Sequence, residues 1–284
     1  MHYELLNTLA PTAAIFPVVQ ARAQAVHATL ITLAATPNYG GLLQQVGLPG
    51  VNLLDRATGR EYHADQYRFF NRVRVPSLAK IDMNENGSIS VLHQGADIGR
   101  EYLFPNTRRA AQDVRFTNPD GSLDYIEEYA SDGSVFSNLF YTKGDMQEMA
   151  FFNADEQVVV RYFLYQGAVN LITLEEPQTH AVTARYDTLN AFLAAQLAAL
   201  VTPQDTVTIN YLGIELSVLV GSQSHNRLVL SEPPLTDDGA VRGNLAAVLT
   251  DTIDYVQEVV MSPAAAATLK NAGMPMTKVT VHAE

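Results

Sequence analysis

Between residues 118 and 167 short apolar and aromatic runs alternate with polar reversal signals at a near-constant spacing. Asn118-Pro119-Asp120-Gly121 is followed by Ser131-Asp132-Gly133, Thr142-Lys143-Gly144, Asn153-Ala154-Asp155-Glu156 and Tyr165-Gln166-Gly167, their last residues eleven or twelve positions apart. The runs between them, residues 123–130 (LDYIEEYA), 135–142 (VFSNLFYT), 146–152 (MQEMAFF) and 158–165 (VVVRYFLY), are rich in the β-branched and aromatic residues of strands. In Asn118-Pro119-Asp120-Gly121, proline presets the second position of a turn and glycine takes the left-handed conformation that follows. A strand of eight residues plus a turn of three or four reproduces the spacing, so neighbouring strands pair antiparallel in chain order. Asn86-Gly87, between residues 75–83 (VPSLAKIDM) and 88–94 (SISVLHQ), places the start of this β-meander earlier. At least six strands are expected between about 72 and 174.

A sheet with one solvated face alternates cleanly between apolar and polar residues. This one does not. In residues 158–165 Val158, Val160, Tyr162 and Leu164 point to one side and Val159, Phe163 and Tyr165 to the other. Both faces are therefore covered, either by a second layer from the same chain or by a partner protein or extended peptide.

The flanks read differently. Residues 1–65 look irregular, with a helix expected from Pro17 through residues 18–36 and breakers from Pro37 to Gly50. His27 falls in that helix and has no second histidine within helical reach. From about 180, helices at 188–201, 243–251 and 263–272 alternate with strands at 206–212, 227–232, 255–262 and 278–283, a pattern that predicts a parallel α/β sheet of Rossmann-like class.

Composition narrows the function. The 284 residues carry a net charge of −12 and no basic cluster, which argues against nucleic acid and against direct docking on an anionic bilayer. There is no cysteine, hence no disulfide, thiolate metal site or cysteine nucleophile. No apolar stretch near the start reaches the roughly 20 residues of a membrane span, and no basic segment opens a signal peptide, so the chain reads as soluble and intracellular. Phosphate-binding glycine loops, metal-type histidine spacings and a nucleophile elbow are missing from the sequence, so no cofactor, metal or catalytic residue is assigned. Glu148 and Glu156 have the spacing of a carboxylate pair found in many retaining glycosyltransferases, but a strand and a turn are the wrong setting for it. Asn86-Gly87-Ser88, formally a glycosylation sequon, reads as a turn.

Residues 70–81 (FNRVRVPSLAKI) and 114–163 resemble the extended β-meander of the GtfB-type glycosyltransferase-stabilising family, which serves serine-rich-adhesin O-glycosylation in bacteria. The first stretch is similar to that domain's opening strand, and residues 180–262 are collinear with the elements that follow it. The resemblance implies an α/β fold with an inserted antiparallel β-meander: a partial Rossmann-like domain, the first half of a GT-B architecture, plus an extended sheet. The implied division is 1–67 and 179–284 for the Rossmann-like part and 68–178 for the meander. It implies a non-catalytic accessory subunit that stabilises an O-GlcNAc-type transferase subunit and helps bind a Ser/Thr-rich acceptor polypeptide, in the cytoplasm, with peripheral membrane association through the complex. The same meander occurs in active transferases, including those that decorate teichoic acid, so the alternative is the acceptor-binding half of a GT-B glycosyltransferase. No donor-binding half follows before Glu284, so sugar transfer by this chain alone is not expected. A free-standing structural β-domain is a third reading. Tyr125, Tyr129, Tyr141 and Tyr165 are the candidate contact residues, because tyrosine offers broad area with a polar tip.

Overall fold

The computed structural model describes residues 1–105 and 107–282, which form two compact units. In chain order the first elements are β1 (His2–Leu6), α1 (Phe16–Ala25), β2 (Thr29–Thr32), α2 (Tyr39–Val46), β3 (Gly50–Asn52) and α3 (Leu53–Thr58). A 3-10 turn at Phe70–Arg72 precedes the meander: β4 (Lys80–Met83), β5 (Ile89–His93), β6 (Ala96–Leu103), β7 (Ala111–Thr117), β8 (Leu123–Tyr129), β9 (Val135–Thr142), β10 (Asp145–Phe152), β11 (Val158–Tyr165), β12 (Ala168–Glu175) and β13 (Val182–Tyr186). The chain closes with α4 (Leu189–Ala198), β14 (Thr206–Ile209), α5 (Ile214–Ser217), β15 (His225–Val229), α6 (Gly243–Leu249), β16 (Glu258–Met261), α7 (Pro263–Asn271) and β17 (Val279–Val281). The final strand was expected to run on to Ala283, which lies outside the described residues.

The first unit, built from residues 1–34, 46–53 and the chain from Asn190 onward, is a parallel sheet in the order β17-β16-β15-β14-β1-β2-β3. Its central strands are buried on both faces, as sheets covered by crossover helices are. Two expectations are corrected here. Residues 1–65 are not irregular, since they supply β1, β2 and β3. The expected long helix stops at Ala25, and after His27, an exposed link residue at φ 52°, residues 29–32 run as a strand. A short apolar run does not distinguish buried helix from buried strand by periodicity, and Thr29, Ile31 and Thr32, all β-branched, favour the strand.

The second unit, residues 35–45 with 54–189, holds the ten-stranded antiparallel sheet, every strand pairing with its neighbour in sequence. The reversals work as the sequence predicts. In the Asn118–Ser122 turn the Asp120 carboxylate accepts from the Ser122 amide at 2.9 Å, and Gly121 sits at φ 83°. In the reversal without glycine, Glu156 itself takes the left-handed position at φ 56°.

Residues 70–79 correct a further expectation. They do not form an opening strand. After the 3-10 turn the chain runs extended to Pro76 and turns at residues 77–78, a strap across one face of the sheet in which Val73, Val75 and Ala79 pack against Val91, Val114, Phe116, Tyr129, Val135 and Phe152. Pro76 lacks the amide that a ladder needs. The opposite face is partly covered by residues 54–62: Arg60 donates to the Val135 carbonyl at 2.5 Å and the Ser134 hydroxyl at 2.7 Å, and lies over the Phe136 ring. Part of the second layer on the sheet thus comes from the same chain.

Glu101 is buried among this core, flanked across the sheet by Ile89 and Val114, and neither carboxylate oxygen has a hydrogen-bond partner among the described residues. Burial, with the Asp113 charge adding to it, pushes its carboxyl up to about 8. A proton is thus held in the folded state at pH values where the unfolded chain has released it. Stability from this group is full below the unfolded value near 4.5 and is lost as pH rises to about 8. Glu101→Gln should flatten the fall in melting temperature between pH 5 and 8. An unchanged pH profile would show that Glu101 is solvated. Gly133 gives a second test. It sits at φ 81°, and a Cβ there would lie 2.0 Å from the Arg68 amide nitrogen, whereas nothing stands within 4 Å at Gly121. Gly121→Ala should cost roughly 1–2 kcal/mol and Gly133→Ala roughly 3–5 kcal/mol in urea denaturation.

Candidate functional site

Successive side chains of a strand point to opposite faces, and paired residues share a face. The registers therefore assign the sheet surface. On the strap face one cross-strand row runs Phe116, Tyr125, Phe140, Glu148, Phe163 and Leu171, each paired with the next from β7 to β12. The ring of Tyr125 stacks on Phe116 at 4.6 Å between centroids and on Phe140 at 6.0 Å. The strap covers the Phe116 end. Phe140 is exposed, and Tyr125, Phe163 and Leu171 are half-buried. Beside the row Arg161 pairs with Glu148 and, at 3.2 Å, with Glu175, an ionic margin to an aromatic strip.

The four sequence-predicted tyrosines do not gather into one patch. Tyr125 lies in the row, and burial pushes its phenol up to about 12, so it stays a neutral donor at physiological pH. Tyr129 is corrected: it is fully buried under the strap, its hydroxyl bonded to Glu127 and accepting from the Arg74 amide at 3.1 Å, its ring under the Arg68 guanidinium at 4.9 Å. It is a core residue. Tyr141 is half-buried on the opposite face, since its β9 neighbours Ser137 and Leu139 pair there. Tyr165 stands 66% exposed at the end of β11. Phe140 and Phe163 lay outside the sequence expectation, which rested on the polar tip of tyrosine. Turn spacing alone would not have placed them, because each hairpin from β7 to β12 shifts its register by one residue at a bulge between its turn and the row. Glu148 lies in β10 and Glu156 in the turn that follows it, and their carboxylates pair with Arg161 and Arg68 respectively.

The parallel unit has its own candidate. The chain leaves β1 for β2 on one side and returns to β14 on the other, and ligands of open parallel sheets bind at the carboxyl ends of such strands. A cavity of about 260 Å³ lies there, lined by Asn7 and Thr8 after β1, Phe16 of α1, and Tyr211 and Glu215 after β14. The Glu215 carboxylate is buried and accepts from the Asn7 amide at 3.0 Å, so its position is fixed and its remaining oxygen lone pairs can accept from a ligand hydroxyl. Among the described residues no group of acidic or histidine side chains could hold a metal ion, and no helix is long and apolar enough to cross a membrane.

No family model and no curated protein matches the sequence. Solved structures do match by shape. The chain superposes over its whole length on the GtfA/B complex with a TM-score of 0.77 at 12% identity, covering 59% of that chain. The pneumococcal O-GlcNAc transferase GtfA, solved with UDP and GlcNAc, gives 0.76 at 14% identity, with 99% of this chain and 58% of that one covered. The Gap123 glycosylation-associated complex from Streptococcus agalactiae gives 0.73 at 12% identity, with 100% and 60% covered. This chain has a GT-B-like fold. The likeness agrees with the resemblance read from residues 70–81 and 114–163, and the chain spans about three fifths of the length of these neighbours.

The placement of the tyrosines can be checked by denaturation. Tyr129→Phe leaves Glu127 and the Arg74 amide without their buried partner and should cost about 1–3 kcal/mol. Tyr165→Ala should stay within about 0.5 kcal/mol. Equal effects would place Tyr129 outside the core.

Proposed function

We propose that this chain is a non-catalytic binding subunit of a protein O-glycosylation assembly, engaging a glycosyltransferase subunit through its meander and helping to hold a Ser/Thr-rich acceptor. The observation that carries the reading is the aromatic row, which emerges from under the strap as a partly exposed strip with Phe140 and Phe163 at its free part. Aromatic side chains with a charged margin are the composition of interface centres. The likeness in fold to the GtfA/B and Gap123 complexes supports the same assignment. On this reading the protein works in the cytoplasm and reaches the inner membrane face only through its partners.

The alternative is the acceptor-binding half of a GT-B glycosyltransferase. The switch-point cavity with its fixed Glu215 favours it, as does the likeness to a transferase solved with UDP and GlcNAc. Two measurements separate the readings. Co-purification with a transferase subunit should be strong for the native chain, about tenfold weaker for Phe140→Glu, and unaffected by Tyr165→Ala as a control on another part of the sheet. UDP-GlcNAc hydrolysis by the chain should be undetectable. Measurable turnover, or Phe140→Glu binding as well as the native chain, would overturn the accessory reading.

A further inference from the structure

The second unit contains a cavity away from the aromatic row. It opens between the loop after β6, the β8–β9 reversal and the exposed segment that leads into the strap, and its volume is about 390 Å³, within the roughly 300–1,000 Å³ of small-molecule sites. Tyr67, 55% exposed, and Phe104 are the aromatic residues of its lining. Asn38, Ser131, Thr107 and Arg109 add an amide, two hydroxyls and a guanidinium, with no carboxylate in the lining.

One of these groups is unexplained by the fold. The Ser131 hydroxyl is buried and has no hydrogen-bond partner among the described residues, although the Ser131 amide is used, donating to the Pro37 carbonyl at 3.2 Å. A buried hydroxyl without a partner is uncommon and marks a place where another polar group belongs. The Asn38 amide oxygen and the Ser131 hydroxyl both lie near Gly41, where a Cβ would stand 2.6 Å from Asn38 Oδ1 and 3.4 Å from Ser131 Oγ. The absence of a side chain at Gly41 leaves these two polar groups uncrowded.

We propose that this cavity binds a pyranose ring. A sugar presents an apolar face of C–H groups and a rim of hydroxyls. The first stacks on an aromatic ring and the second needs short neutral donors and acceptors. The cavity pairs Tyr67 and Phe104 with the Ser131 hydroxyl and the Asn38 amide, while Arg109 donates at the open rim. Acidic ligands are not required by this lining and cationic ones are opposed by it. The proposal concerns a different surface from the partner row and does not depend on it.

Saturation-transfer NMR on the intact chain, with the methyl glycosides of glucose, N-acetylglucosamine and glucuronic acid, tests it. At least one should bind saturably, with a Kd of about 1 mM or weaker, as expected for a single ring. Tyr67→Ala should abolish the signal. Ser131→Ala should weaken binding about fivefold, the worth of one hydrogen bond, while leaving the melting temperature unchanged or raised, because it deletes a hydroxyl that the fold leaves unbonded. Binding that survives both substitutions, or no saturable binding of any of the three glycosides, overturns the proposal, and a fall in melting temperature for Ser131→Ala would mean that the hydroxyl serves the fold.

Discussion

The register of each hairpin, set by its reversal and by the one-residue bulge beside it, is the constraint on which the sheet surface depends. A one-residue slip in a strand sends every side chain to the other face. Here Asx-type turns and left-handed residues hold each hairpin in place, and their effect accumulates across the sheet. Phe116 and Leu171 lie far apart in sequence, yet the pairings between β7 and β12 put them on one line across one face. The strap uses the same order: Val73, Val75 and Ala79 find apolar partners because those partners all point the same way.

The electrostatics of this face follow from what the strap covers. Beneath it Tyr129 needs its hydroxyl satisfied, and Glu127 and the Arg74 amide do so. Arg68 lies over the Tyr129 ring and also pairs with Glu156, the residue that adopts the left-handed turn between β10 and β11. One side chain thus closes a reversal and anchors the covering segment. Beyond the strap no such lid is needed for Phe140 and Phe163, and they remain available to another molecule.

Much of this was legible in the amino-acid sequence. Asn118-Pro119-Asp120-Gly121 and its successors announced an up-and-down sheet, and the alternation after residue 180 announced the parallel one. Residues 29–32 were not legible, because an apolar run continuous with a helix has no internal mark of where the helix ends beyond its β-branched content. Residues 70–79 look like a strand, since Val73 and Val75 alternate with arginines. An extended segment lying on a sheet has the same period as one within it, and only the missing amide of Pro76 hints at the difference. Tyr129 could not be told from Tyr125 by type. Both face the same side, and burial is decided by a segment more than fifty residues earlier. The cavity at Tyr67 was invisible for a similar reason: Asn38, Phe104 and Ser131 share no motif.

The two sheets also differ in how far the chain must reach to make them. Every pairing of the meander joins a strand to the one just made, so its ladder can grow during synthesis as each hairpin leaves the ribosome. The parallel sheet cannot do this, because His2 pairs with Thr206 and the central seam waits until some two hundred further residues have been polymerised. For most of translation β1 is an unclosed edge without its main neighbour. Closing a seam between strands so far apart in sequence carries a loop-closure entropy that no hairpin of the meander has to meet.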